Sequence, residues 1–178
     1  MLENEDIINE FQRTISATVK SIGKSENLEV EFVKENSSIE GNKINLTAPS
    51  ISVIKKNLRY FRAEADSMAL QIRLHDPKIH KEFTGLNKTA NEIFLCVEKS
   101  RIEAKGSGIF KGIKSNILQK NNIDILKLNE NEEEKENLIN AFRYVSFGEF
   151  TNNKLGGKYN DYKKLLKKKL GNKYDAYF

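Results

Sequence analysis

The sequence has little cysteine, proline and histidine and lacks tryptophan: its 178 residues include one cysteine, two prolines and two histidines. The single thiol, Cys96, excludes a disulfide framework within the chain, and we expect a reducing, cytoplasmic location. No run of about 18 apolar residues occurs, so no transmembrane helix is predicted. The start of the chain, MLENEDIINEF, is acidic and has no basic segment before an apolar core, so we expect no signal peptide.

Positive charge is concentrated near the end of the sequence. The net charge is +5, but residues 154–173 contain eight lysines and one aspartate, which leaves −2 for the rest of the chain. Tyr159 and Tyr162 share a helical stripe with Leu166 and Leu170, which favours a packed helix with a solvated lysine face. Contact with acidic segments of the same protein or its partners is a second interpretation. Nucleic-acid binding is a third and less favoured one.

Apolar spacing predicts a mainly α fold with a small β-hairpin, an α+β class with a helical core. Helices are expected over residues 4–22, 50–74, 87–105, 136–145 and 159–170, with an acidic helix entry at residues 128–136. Alternation in Leu28–Val33 and Lys43–Leu46 predicts two strands of a hairpin, and the intervening residues are typical of a turn. Glycines at 106, 108 and 112 predict short helix and loop over residues 107–126.

Two of these helices, residues 57–76 and 89–105, each carry an apolar stripe beside a charged one. The apolar stripes comprise Ile54, Leu58, Phe61, Ala65, Met68 and Ile72 on the first helix and Ala90, Ile93, Val97 and Ala104 on the second. Charges at the border of a core need partners. We therefore predict that the apolar stripes pack together and that Asp66 pairs with Arg101. Glu98 would then meet Arg62 or Arg73, completing a structural or docking charge network.

These charged residues belong to two ordered motifs. The first is R-x-E-A-D-S-x-A-L-x-x-R-x-H-D-P, starting at Arg62, and the second is F-x-x-V-E-x-x-R-I-E-A-x-G, starting at Phe94. Together they resemble the N-terminal region of the CobT family, and the resemblance is sharpest over residues 58–116. Family members continue into an acidic linker and a von Willebrand A domain with a D-x-S-x-S motif, which this sequence lacks. The resemblance implies an N-terminal helical domain with its hairpin over residues 1–126 and a helical extension over residues 127–178.

By resemblance, the chain is a docking part of cobaltochelatase, an enzyme that uses ATP to insert Co²⁺ into hydrogenobyrinic acid a,c-diamide in aerobic cobalamin synthesis. The implied partners are an AAA+ ATPase subunit and a large chelatase subunit. Self-association into a homo-oligomer is a further interpretation. The resemblance implies that the holoenzyme uses ATP, Mg²⁺ and Co²⁺. This segment itself is expected to bind no cofactor and to supply no catalytic residue. The alternative is an interaction module of an AAA+/von Willebrand A pair that acts on another client.

Two patterns invite an enzymatic or metal-binding interpretation. His75, Asp76 and His80 are weak candidates for metal ligands, because Pro77 interrupts the helix and a step of five residues separates the rings. The alternative is a helix terminus, with Asp76 as the cap of the next helix. The run Gly106–Gly112 is glycine-rich but follows a helix and lacks the G-x-x-x-x-G-K-[ST] pattern, so no phosphate loop is expected.

The layout of hairpin, long helix and later acidic helix is similar to that of zinc peptidases with an H-E-x-x-H motif. On that pattern, Arg62, Ala63 and Asp66 replace both zinc ligands and the general base. A degenerate zincin-like scaffold is therefore one interpretation, and a half-buried ion network without such ancestry is the other. Both predict that the chain has no peptidase activity.

Overall fold

The computed structural model describes residues 2–25, 27–85, 87–128 and 133–177. The chain divides into two compact units, Met1–His75 and Asp76–Phe178. The predicted class, mainly α with a small sheet, is confirmed. None of the described helices is both long and apolar enough to cross a membrane.

The first unit packs two long helices and a small sheet. It contains α1 (Leu2–Gly23), β1 (Glu29–Val33), β2 (Ser38–Glu40), β3 (Lys43–Thr47) and α2 (Ile51–Leu74). α1 and α2 lie against each other, and the rings of Phe11 and Phe61 meet edge to face with centroids 5.4 Å apart. The largest buried apolar side chains of this unit come from all three layers of structure: Ile15, Val19, Leu28, Ile44, Leu46, Phe61 and Leu70.

The three-stranded sheet has the order β1-β3-β2, with β1 parallel and β2 antiparallel to β3. The predicted hairpin between the segments at 28–33 and 43–46 is therefore wrong, because those two strands run in the same direction. The hairpin partner of β3 is β2, and the turn between them contains Gly41 with a φ of +59°. Serine, asparagine and glycine around β2 gave that short strand the composition of a loop.

The second unit is helical in its described part. It contains α3 (Pro77–Phe83), α4 (Lys88–Ile109), α5 (Lys111–Lys127), α6 (Glu134–Thr151), α7 (Tyr159–Leu170) and a final turn, α8 (Tyr174–Tyr177). The prediction of short helix and loop over residues 107–126 is wrong. α4 continues through Gly106 and Gly108, and α5 is a helix of 17 residues. A glycine inside a helix costs only about 1 kcal/mol, which tertiary packing can offset.

Local capping signals placed several helix ends correctly. Ser50 accepts a hydrogen bond from the amide of Val53 at the start of α2, and Asp76 accepts bonds from two amides at the start of α3. Asn87 caps α4 in the same way. The acidic helix entry predicted at residues 128–136 lies partly outside the described residues, and α6 begins at Glu134.

α6 and α7 form a close helical hairpin. Tyr159, Tyr162 and Leu166 of α7 are buried, which confirms the prediction that the two tyrosines are core residues. A β-carbon on Gly148 would lie 2.6 Å from Cε2 of Tyr159, so glycine lets the ring approach the α6 backbone. The predicted boundary between residues 126 and 127 falls at the end of α5, and a separate extension over residues 127–178 stays a prediction.

Candidate functional site

A buried charged network joins α4, α5 and α6 in the second unit. The guanidinium Nη2 of Arg143 lies 2.5 Å from the carboxylate of Glu103 and donates to Oδ1 of Asn121 at 3.1 Å. Its other terminal nitrogen donates to the hydroxyl of Ser100 at 2.9 Å. All four side chains are buried, so the arrangement supplies a buried cation with the anion and acceptors that it requires.

The network continues beyond the ion pair. Asn121 donates to the same Glu103 carboxylate at 3.2 Å, and the Ser100 hydroxyl lies 2.7 Å from the carbonyl oxygen of Arg143. The guanidinium of Arg143 also lies over the ring of Phe147, 5.8 Å from its centroid. Each charged group is thus held by several partners on different helices. This chemistry is suited to fixing the three helices in one arrangement, because a shifted helix would leave buried charge unpaired.

The face of α4 that is most deeply buried differs from the predicted apolar stripe. Ile93, Val97 and Ala104 are only half-buried, and Ala90 is exposed. The fully buried residues of α4 are Ser100, Ile102, Glu103, Gly106 and Ser107. Sequence reasoning missed this face because most of its residues are polar or small. One signal was available: Arg143 lies within the apolar run AFRYVSF, where an unpaired charge would be costly.

The thiol of Cys96 lies one helical turn before Ser100, on the α6 side of α4. Its sulfur approaches the carbonyl oxygens of Ile93 at 3.0 Å and Ile139 at 3.4 Å. Burial raises the pKa of this thiol from 9.0 to about 11, against the opposing influence of the Arg143 charge. The thiol is therefore protonated at neutral pH, as expected for a packing residue and not for a nucleophile.

The charged residues predicted from the two motifs lie partly in each unit. In the second unit, Glu98 and Arg101 form a bidentate ion pair within α4, with both N–O distances 2.7 Å. In the first unit, Asp66 is only 2% exposed, which is deeper than the border position that the sequence predicted. Arg73 donates to the carbonyl oxygen of Ile22 at 3.1 Å, near the negative end of α1.

The pairings expected between the two motifs stay predictions. They would join Asp66 to Arg101 and Glu98 to a motif arginine, and these residues belong to different units. Arg62 is half-buried on α2, next to the fully buried Ala63. A double-mutant cycle on Asp66 and Arg101 can test the network directly.

The histidine pair lies where the first unit ends and the second begins. His75 follows the last residue of α2, Asp76 caps α3 through its carboxylate, and His80 packs its ring 5.1 Å from that of Phe94. Among the described residues, no group of three or more histidine, cysteine, aspartate or glutamate side chains is arranged to hold a metal ion. By capping α3, the side chain of Asp76 has a structural role at this position.

An exposed apolar and aromatic surface occurs at the connection from α3 to α4. Ile79 and Phe83 of α3 are 55% and 66% exposed, and α3 has no buried residue. The ring of Phe83 stacks on that of Phe94, with centroids 6.2 Å apart and planes 25° apart. We call this surface the α3–α4 corner; it consists of Ile79, Phe83 and Phe94 with the exposed lysines Lys78, Lys81 and Lys88.

The lysines of α7 lie outside its packed face. Lys163 forms an ion pair with Glu149 at 2.5 Å, and Lys169 forms one with Glu134 at 2.7 Å. These two lysines therefore link α7 to α6. Lys164, Lys167 and Lys168 are exposed. This arrangement agrees with a solvated lysine face. Tyr159 and Tyr162 are turned into the core and cannot act as stacking platforms for bases.

Comparison with known proteins identifies a family. A family model described as "Cobalamin biosynthesis protein CobT" matches residues 5–139. The match begins in α1, passes through both sequence motifs and ends within α6. No solved structure matches the chain, so the similarity to zinc peptidases stays a hypothesis based on sequence layout.

Proposed function

The chain belongs to the CobT family of cobalamin biosynthesis proteins, and we propose that it is the N-terminal docking part of the CobT subunit of cobaltochelatase. In this proposal, an AAA+ ATPase subunit hydrolyses ATP with Mg²⁺, and a large subunit holds the corrin substrate. The holoenzyme inserts Co²⁺ into hydrogenobyrinic acid a,c-diamide in the cytoplasm. The present chain contributes binding surface and geometry rather than reacting groups.

The observation that carries the proposal is the extent of the family match. It covers residues 5–139, and thus all three strands, most of α1 and the whole of α2, α3, α4 and α5. Glu103, within the matched region, is buried and paired with Arg143, which follows the end of the match. This ion pair stabilises a helical scaffold, while the α3–α4 corner leaves apolar surface available to partners.

Reconstitution with purified subunits tests this function. The 178-residue chain would be mixed with the AAA+ subunit and the large chelatase subunit, with and without ATP, and followed by size-exclusion chromatography. We expect co-elution with at least one subunit, and no ATP hydrolysis or Co²⁺ insertion by the chain alone. Failure to co-elute in every nucleotide state, or ATP turnover by the chain itself above that of a mock purification, would refute the proposal.

The same experiment separates the proposal from the alternative client. A chain that serves cobaltochelatase should compete with full-length CobT for its partners and lower the rate of Co²⁺ insertion by the complete enzyme. A chain that binds an AAA+ subunit without affecting Co²⁺ insertion would instead favour an AAA+/von Willebrand A pair with another substrate.

A further inference from the structure

The seven-residue helix α3 exposes two large apolar side chains, Ile79 and Phe83, and buries none of its residues. Phe83 and Ile79 are separated by one helical turn, so their side chains extend from the same side of α3. Both are more than half exposed. Exposed apolar side chains that are grouped together, unlike scattered ones, are typical of surfaces that bind other proteins.

The corner is fixed in place before any partner binds. Phe83 rests on Phe94, and the His80 ring lies 5.1 Å from that of Phe94. The connection itself is tied by Asn91, which accepts a hydrogen bond from the amide of Gly85 at 2.9 Å and donates to its carbonyl oxygen at 2.7 Å. A surface held in this way loses little conformational entropy on binding, which favours affinity.

The charges around the corner indicate the chemistry of its partner. Lys78, Lys81 and Lys88 are exposed, and none of them takes part in an ion pair within the part of the chain that the structure describes. Glu82 is the one acidic residue of α3. A second copy of this chain would bring the same positive lysines against them, which disfavours self-association through this surface. Carboxylates would be attracted to it.

We propose that the α3–α4 corner docks an acidic amphipathic helix of a partner protein. Apolar residues of that helix would cover Phe83 and Ile79, and its aspartates or glutamates would face Lys78, Lys81 and Lys88. This mode places one apolar stripe and one charged stripe of the partner against matching surfaces. The inference deepens the docking function proposed above and rests on it.

A single-stranded nucleic acid is the main competing occupant, because lysines and an exposed ring occur together. The structure favours protein for two reasons. One face of the Phe83 ring is already covered by Phe94, and the neighbouring anchor, Ile79, has no π face on which a base could stack. An aliphatic and an aromatic anchor one turn apart fit the apolar stripe of a helix.

The test uses a designed peptide of about 20 residues with leucines at helical spacing and glutamates at the other positions. Binding of the labelled peptide to the whole chain would be measured by fluorescence anisotropy. A scrambled peptide of the same composition and a labelled oligothymidylate would be measured in parallel. We expect the helical peptide to bind more tightly than the scrambled one, and its binding to weaken as salt is raised.

Matched variants locate the binding surface. Phe83→Ser should raise the Kd for the helical peptide at least about tenfold, as for a central anchor, and Lys81→Glu should raise it several-fold. Phe150→Ser changes a phenylalanine of α6 that is 45% exposed, and Lys168→Glu changes an exposed lysine of α7; both should leave the Kd within about twofold. Circular dichroism would confirm that each variant is folded.

Any one of three results with the helical peptide would overturn the inference. They are no binding of the helical peptide, equal binding of the scrambled peptide, or a Kd unchanged by both Phe83→Ser and Lys81→Glu. Tight binding of oligothymidylate that Phe83→Ser abolishes would also overturn it, because the corner would then be a nucleic-acid site. Co-elution with the chelatase subunits that both corner variants leave intact would preserve the proposed function while refuting this docking surface.

Discussion

The carboxylate of Glu103 on α4 lies 2.5 Å from the guanidinium of Arg143 on α6, and both side chains are buried. The sequence separation of the two residues is 40, yet each provides the counter-charge that makes burial of the other tolerable. Asn121 of α5 hydrogen-bonds to both of them. The stability of the second unit should therefore depend on this contact more than on any exposed ion pair.

Arg143→Met should lower the free energy of unfolding by roughly 3–5 kcal/mol, because it leaves the Glu103 carboxylate buried without its cation. The double change Glu103→Leu with Arg143→Met should cost less than the sum of the single changes. Urea denaturation followed by circular dichroism measures all three.

The matched control is the pair Asp161–Lys164, whose side chains are 75% and 80% exposed; alanine at either position should change stability by less than about 0.5 kcal/mol. Additive, small effects at Glu103 and Arg143 would contradict the predicted dependence.

Gly148→Ala should destabilise the packing of α6 on α7 by about 1–3 kcal/mol, because the new methyl group would overlap the Tyr159 ring. Gly108→Ala provides the control. A β-carbon on Gly108 meets nothing within 4 Å, and the residue lies inside α4, so alanine should stabilise the chain by about 0.5–1 kcal/mol. Thermal unfolding of the two variants should shift in opposite directions. A shift in the same direction would show that the ring position or the helix end differs from that described.

Cys96 should react slowly with Ellman's reagent at pH 8. Burial raises its pKa from 9.0 to about 11, so the thiolate fraction should be about a hundredfold lower than in the unfolded chain. The folded state binds the thiol proton of Cys96 more tightly than the unfolded state does. The contribution of this group to the free energy of unfolding is therefore fully present below pH 9.0 and is lost as the pH rises through about 11. Cys96→Ala should remove that part of the alkaline decline. Rapid reaction of the native chain at pH 8 would contradict the raised pKa.

The charged motif residues can be tested by a second cycle, on Asp66 and Arg101. If they pair, Asp66→Ala and Arg101→Ala should each destabilise the chain, though by less than the 3–5 kcal/mol typical of a fully buried pair. The double change should again cost less than the sum. If Arg101 instead faces a partner subunit, Arg101→Ala should alter stability by under about 0.5 kcal/mol while weakening co-elution with the chelatase subunits. Asp66→Ala should still destabilise the chain, because Asp66 is buried. Additive effects, with little loss of stability at Arg101, would make the exposed side of Arg101 part of a second docking surface.

Local signals in the sequence predicted where α2, α3 and α4 begin, whereas α4 and α6 extend beyond their predicted ends to Ile109 and Thr151. Ser50, Asp76 with Pro77, and Asn87 all act on amides within three residues of themselves, so their effect does not depend on the rest of the fold. The apolar spacing of Tyr159, Tyr162 and Leu166 likewise identified the buried face of α7. The family resemblance quoted from the two motifs is confirmed by the match over residues 5–139.

Features that depend on distant partners were missed. Ser100 and Glu103 are polar and gave no apolar pattern, since the groups that make their burial favourable come from α5 and α6. The same reason applies to β2, whose three residues become a strand only through pairing with β3. The exposed corner at Phe83 was also not anticipated, because periodicity alone does not show which apolar residues a fold leaves uncovered.

The position of β3 at the centre of the sheet has a consequence for synthesis on the ribosome. β1 and β2 emerge first, but neither pairs with the other, because each is bonded to β3. The nascent chain therefore has no template for the sheet until Thr47 has left the exit tunnel. The apolar face of α1 stays uncovered for longer, until α2, against which it packs, has followed. Translation speed over residues 24–74 thus sets the interval in which the first unit is open to chaperones or to misassociation.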